Sequence, residues 1–246
     1  MGFWPEGYDR VILDEVDSTM AEAARMAAFV TRPTWIMAHA QTAARGRRGR
    51  AWVHPVGNLA ATLIFCPNCS APEAAQRSFL AANALFEALA IYIDRSKLAH
   101  KWPNDVLLNG GKVAGILLES AGAGGQVDWL SIGIGVNLRT VPDAVKDAAF
   151  APVSLLGEGG DPVAPDVFLT TLAGAYATQE AKLERLGFAR IRQDWLRNAA
   201  KLGEEITART GREDITGIFD TIDEDGNLVL ITAKGPVRVP AADVYF

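Results

Sequence analysis

The sequence predicts an α+β protein, and two observations carry that expectation. Over the first 200 residues, short apolar strand-like runs are interspersed with segments whose apolar positions recur at helical intervals. After Lys201 the pattern changes to short alternating segments separated by turn residues. We therefore expect a main domain over residues 1–200 and a small β domain over 201–246. The second, at 46 residues, buries too little apolar surface to fold comfortably alone and should dock on the first.

The elements follow in order. Arg10 to Val16 alternates apolar and polar residues and reads as a strand. Thr19 and Glu22 have the spacing of a capping box, and Met20, Ala23, Ala24 and Ala27 then recur as on a helix. Trp35 to Ala40 and Leu59 to Phe65 read as buried strands, and Gln41 to Gly57, with three glycines and four arginines, reads as a loop. Glu73 to Ile93 suits one long helix; its near-apolar core is too short and too interrupted to cross a membrane. Val106 to Leu108 and Val113 to Leu118 flank Asn109-Gly110-Gly111, which is hairpin chemistry. A second hairpin is expected at Gly122 to Gly125, leading into a strand from Trp129 to Asn137. Phe150 to Asp166, rich in proline and glycine, is a connection to two helices, roughly Asp166 to Leu186 and Phe188 to Ala200. The β module comprises Glu205 to Arg209, Ile215 to Ile222, Leu228 to Thr232 and Val237 to Val239.

The chain has 24 Lys+Arg against 29 Asp+Glu, a formal charge of −5. That argues against a general polyanion binder, whose affinity comes from neutralising many phosphates over an extended basic surface. The first ten residues lack the apolar region of a secretory signal, so a cytoplasmic location is expected. The two cysteines, Cys66 and Cys69, lack the partner spacing of a four-ligand zinc site and read as reduced loop thiols rather than a redox pair.

Positive charge is nevertheless concentrated. Arg45-Gly46-Arg47-Arg48-Gly49-Arg50 holds four of the 24 basic residues, leaving 20 against 29 acidic residues elsewhere. Glycines let backbone N–H groups approach a ligand, and arginines grip carboxylate or phosphate oxygens bidentately, so a small anionic ligand fits; a merely solvated basic loop is the alternative. Lys101-Trp102-Pro103-Asn104-Asp105 is followed by Gly111-Lys112-Val113-Ala114-Gly115. Taken singly, these are a turn and hairpin punctuation. Val113 excludes a Walker loop, and Gly133-Ile134-Gly135-Val136-Asn137 lacks the third glycine of a dinucleotide fingerprint.

Taken together and in this order, Asp17-Ser18-Thr19, Gln41-Thr42, the Arg/Gly loop, the Lys101 to Asp105 block, the Gly111 to Gly115 block and Gly133 to Asn137 resemble the biotin protein ligases over nearly the whole chain. The resemblance implies a mixed β-sheet flanked by helices, as in class II synthetase-like ligases, followed by an SH3-like β-barrel. It implies two half-reactions: biotin and ATP give biotinyl-5′-adenylate and pyrophosphate, and biotin then passes to a lysine of a biotin carboxyl carrier protein. A lipoate or octanoate ligase or transferase of the same superfamily is the alternative. Carried onto this sequence, the family pattern puts Ser18, Thr19, Met20, Gln41, Arg45, Gly46, Arg47, Lys112 and Gly115 around biotin. It puts Arg47, Arg48, Arg50, Trp52, Lys101, Asn104, Lys112 and Asn137 around ATP or the adenylate, with Trp52 against adenine unless it is a core residue. Lys112, Arg47 and Asp105 are the expected catalytic residues. Asp105 would hold Mg²⁺ or orient the acceptor amine, and Mg²⁺ would bridge ATP oxygens.

There are departures. Met20 stands where the family often has Asn or Asp, and Ala44 replaces a leading glycine. The first strand begins near Arg10, leaving no room for the DNA-binding domain of the repressor forms. No DNA and no membrane partner are expected; a homodimer is compatible with the sequence.

Overall fold

Seven strands form one sheet and five form another, in a computed structural model that describes residues 3–141, 150–240 and 242–246. The larger sheet contains β1 (Asp9–Val16), β2 (Thr34–Gln41), β3 (Leu59–Phe65), β4 (Leu98–Lys101), β5 (Asp105–Leu108), β6 (Gly111–Ala121) and β7 (Trp129–Val136), in the order β1-β2-β3-β7-β6-β5-β4. β1 and β2 are parallel, joined by the helix α1 (Thr19–Met26), and every other pair is antiparallel, so the sheet is mixed as expected.

The side-chain period of two sorts β2 between the faces. Trp35 and Met37 enter the main core, and Ile36 enters a smaller cluster with Ile64 of β3 and Ala23 of α1. The main core is closed by α3 (Arg77–Leu89) and α4 (Pro165–Leu196), which pack on each other. α1 lies on the opposite face against β2, β3 and β7. None of the described helices is long and apolar enough to cross a membrane.

The sequence reading needs several corrections. Ser18, not Thr19, caps α1: its hydroxyl accepts from the Met20 N–H. The expected single helix from Glu73 is two, α2 (Ala71–Ala75) and α3, because a capping box of Ser70 and Glu73 starts a short first turn that ends at Gln76. The strand β4 had no sequence expectation at all. The two helices expected after Asp166 are present within α4, divided where the helical geometry breaks at Gly187 (φ 71°, ψ 175°); only the end differs, at Leu196 rather than Ala200. Asn109 and Gly110 both take positive φ, as a two-residue hairpin turn between β5 and β6 requires.

The smaller sheet is wholly antiparallel, in the order β11-β10-β9-β8-β12: β8 (Glu205–Arg209), β9 (Asp214–Ile222), β10 (Leu228–Thr232), β11 (Gly235–Val239) and β12 (Asp243–Tyr245). It fits an SH3-like module. It meets the larger unit where Trp102 Nε1 donates to the Gly226 carbonyl at 3.1 Å and Phe79 lies against Gly226.

Candidate active site

A cavity of about 400 Å³ opens on the α1 face of the larger sheet. Its floor exists because three strand positions lack side chains. Gly115 of β6 faces Gly135 of β7 across the ladder, and Gly133 lies two residues away on the same face. A Cβ on Gly133 would come 2.6 Å from Met20 Sδ, and one on Gly135 would come 2.6 Å from the Trp52 indole. Met20 and Trp52 therefore rest directly on backbone.

At one end stand Ser18, Thr19 and Gln41. The Gln41 Oε1 accepts from the Thr19 N–H at 2.8 Å and from the Thr19 hydroxyl at 3.2 Å, which fixes the Gln41 amide with no partner for its NH₂ among the described residues. Thr62 of β3 donates to Thr19 Oγ1 at 2.9 Å, while the Ser18 hydroxyl accepts from Met20 and has no acceptor for its own proton among the described residues. This end can both donate to and accept from an amide-like group.

The other end is basic. Lys112 Nζ is 2.6 Å from Asp105 Oδ1, close without being well directed for a hydrogen bond, and Lys101 Nζ is 3.5 Å from Asp105 Oδ2. Burial pushes the Lys101 amine below its ordinary pKa, opposed by the Asp105 charge. The Lys101 ammonium also sits 4.6 Å from the centre of the Phe150 ring, and that of Lys112 5.5 Å from the Trp52 ring.

The arginine loop forms the roof. Arg45 pairs with Ala51 in an isolated bridge, and the Gly46 N–H donates to the Arg50 carbonyl at 2.7 Å. Arg47 reaches into the cavity from a seat made by Asn104 Oδ1, at 3.1 Å, and the Ala242 carbonyl, at 3.4 Å. Burial draws the Arg47 pKa down, against the raising influence of Asp243 and Asp105.

The structure thus gathers Ser18, Thr19, Met20, Gln41, Arg45, Gly46, Arg47, Arg50, Trp52, Lys101, Asn104, Asp105, Lys112, Gly115 and Asn137 around one cavity. Three of the expected positions gain detail. Arg48 does not line the cavity; it pairs with Asp243 at 2.9 Å. Asn104 donates to the Ile116 carbonyl as well as accepting from Arg47, and Asn137 donates to the Val153 carbonyl, so each amide is oriented by a contact within the protein. Asp105 is not a free carboxylate: it is held between two lysines, and among the described residues no group of three or more His, Cys, Asp or Glu side chains forms a resident metal site. Gly133, Gly135, Phe150 and Asp243 line the cavity without having been singled out as site residues.

Residues 13–137 match the family described as biotin/lipoate A/B protein ligase, and residues 201–246 match the biotin protein ligase C terminal domain. The chain belongs to the biotin/lipoate A/B protein ligase family. Within that family it is 51% identical to a biotin--[acetyl-CoA-carboxylase] ligase of Paracoccus denitrificans, over 96% of this chain and 99% of the relative. It is 30% identical to the bifunctional ligase/repressor BirA of Bacillus spizizenii, over 97% of this chain and 74% of the relative. Among solved family structures, a biotin protein ligase from Aquifex aeolicus in complex with biotin and ATP superposes with a TM-score of 0.78 at 26% identity, covering 96% of this chain and 97% of that one.

Proposed function

We propose that the protein is an ATP-dependent biotin protein ligase, and that the cavity forms biotinyl-5′-adenylate and then passes biotin to a lysine of a biotin carboxyl carrier protein. The observation that carries this reading is the polarity of one cavity, with amide-recognising groups at one end and converging cations at the other. The 51% identity to the Paracoccus ligase supports it.

In the first half-reaction a biotin carboxylate oxygen bonds to the α-phosphorus of ATP, and the bond to pyrophosphate breaks. The carboxylate is already ionised near neutral pH, so no general base is needed. The obstacle is anion meeting anion, about 4 kcal/mol for two unit charges 4 Å apart at an effective dielectric of 20. Arg47 and Lys112 supply fixed positive charge there, with Arg45 and Arg50 in support. The Ser18 hydroxyl, the Thr19 oxygen and the Gln41 amide complement the ureido ring, and Trp52 forms a platform for adenine.

In the second half-reaction the acceptor amine attacks the acyl carbon, AMP leaves with the bonding electrons, and the amine loses a proton. Asp105, at the basic end, orients that amine. Mg²⁺ would arrive with the ATP phosphates as part of the substrate rather than on Asp105. We assign the biotin- and ATP-binding ligase domain to residues 1–200, with the SH3-like module, 201–246, docked on it and adding Asp243 to the rim of the cavity. We infer a cytoplasmic enzyme acting on the carrier of acetyl-CoA carboxylase or a related carboxylase.

The test is direct. Purified protein with ATP, Mg²⁺ and a carboxyl carrier domain should attach biotin to that domain and catalyse biotin-dependent exchange of pyrophosphate into ATP. Attachment of lipoate and not biotin would overturn the reading in favour of the lipoate branch.

A further inference from the structure

We propose that Asp243, contributed by the SH3-like module, is a positioning residue for adenylate formation, anchoring Arg48 and Arg50 so that Arg47 is held in the cavity. The inference rests on reading that cavity as the adenylation site.

Three guanidinium groups converge on this one carboxylate. Arg48 approaches Asp243 Oδ2 at 2.9 Å, Arg50 approaches Oδ1 at 3.1 Å, and Arg47 is further off at 3.9 Å. The three contacts are not equivalent. Arg47 donates its hydrogen bonds to Asn104 Oδ1 and the Ala242 carbonyl, whereas Arg48 and Arg50 donate theirs to Asp243 itself. Arg48 adopts φ 56°, a conformation uncommon for a residue with a side chain, and does not line the cavity. Strained positions of this kind persist where surrounding contacts over-determine them. Here the contact is the Asp243 pair.

The carboxylate is a firm anchor. Its side chain is 17% exposed, and Asp243 pairs with Arg209 in the ladder between β12 and β8. The preceding Ala242, fully buried, gives its carbonyl to Arg47. One stretch of the module thus fixes both the outer arginines and the seat of the inner one. A single carboxylate among three guanidiniums leaves the cluster strongly positive, so it can orient the loop without cancelling its attraction for phosphate.

Two charge-assisted hydrogen bonds are at stake, so Asp243→Asn should raise the KM for ATP about tenfold in biotin-dependent pyrophosphate exchange. Asp243→Glu should restore most of the loss. Arg48→Ala, which touches no cavity surface, should reproduce the effect, and the double variant Asp243→Asn with Arg48→Ala should be no worse than the stronger single one. Trypsin should cut the arginine loop of Asp243→Asn faster than that of the wild type. An unchanged or lowered KM for ATP in Asp243→Asn, or additive losses in the double variant, would overturn the proposal. If Asp243→Asn does not fold, Arg48→Ala decides alone, and an unchanged KM for ATP there overturns it. Wild-type protein inactive in biotin-dependent exchange would instead remove the underlying reading of the cavity.

Discussion

Trp52 lies so close to Gly135 that a methyl group on the glycine would stand 2.6 Å from the indole. The contact at Gly115, across the ladder, is looser, at 3.3 Å. Adding a methyl at Gly135 must therefore lift the ring, whereas Gly115 can absorb one with a small shift. Gly135→Ala should weaken ATP binding about tenfold, as loss of a stacking platform does, and Gly115→Ala should weaken it less. Quenching of tryptophan fluorescence on ATP titration checks the order of the two effects.

Lys112→Ala and Arg47→Ala should each lower biotin-dependent pyrophosphate exchange by about a hundredfold or more, the usual consequence of removing one preorganised charge from a developing anion. Both side chains are partly exposed, 30% for Lys112 and 24% for Arg47, so the fold should survive. Circular dichroism establishes that. An exchange rate equal to the wild type in either variant would remove that residue from the reaction.

Much of this site is legible in the sequence. The Arg/Gly loop and the two lysine blocks are local signals, because their chemistry lies in adjacent residues. The cavity floor was also within reach: Gly115, Gly133 and Gly135 interrupt strand patterns, and glycine inside a strand marks close approach of another group. Asp243 offered no such signal. It is one acidic residue in a short terminal strand, and its meaning comes from arginines 193 and 195 positions away. β4 was hidden for a related reason, since Leu98–Lys101 is too short to show a period and is held by pairing with β5. The division of the Glu73 to Ile93 segment is not legible because apolar periodicity runs through the break at Gln76, while the start is set by the Ser70 cap.

Asp105→Asn separates an ion-pair role from a metal role. Lys101 is 6% exposed, and Asp105 is its salt-bridge partner, so the variant strands a buried ammonium at a cost of about 3 kcal/mol. The pH dependence has a definite sign. Burial already holds the folded-state pKa of Lys101 below its unfolded value, so at alkaline pH the unfolded chain binds more protons and stability rises with pH between those two values. Without Asp105 the folded value drops further and the alkaline gain grows. Thermal melts from neutral to alkaline pH should show a lower midpoint that recovers partly as pH rises. The Mg²⁺ concentration for half-maximal exchange should be unchanged, whereas a large increase would return Asp105 to the metal.

His100 supplies the opposite limb of the pH profile. It is completely buried in β4, stacked on Trp195 with ring centroids 5.3 Å apart, and neither ring nitrogen has a hydrogen-bond partner among the described residues. Burial pushes its pKa down to about 3, so the folded protein keeps the ring neutral while the unfolded chain takes up a proton below the ordinary histidine value. Stability contributed by the neutral ring is full above that value and is lost as pH falls towards 3. Between roughly pH 7.5 and pH 5 the loss from this one group is about 2 kcal/mol. His100→Phe keeps an aromatic ring against Trp195 and removes the titration, so its urea midpoint should fall less over the same interval. Identical acid limbs in wild type and variant would mean that the imidazole reaches solvent and titrates in the folded state.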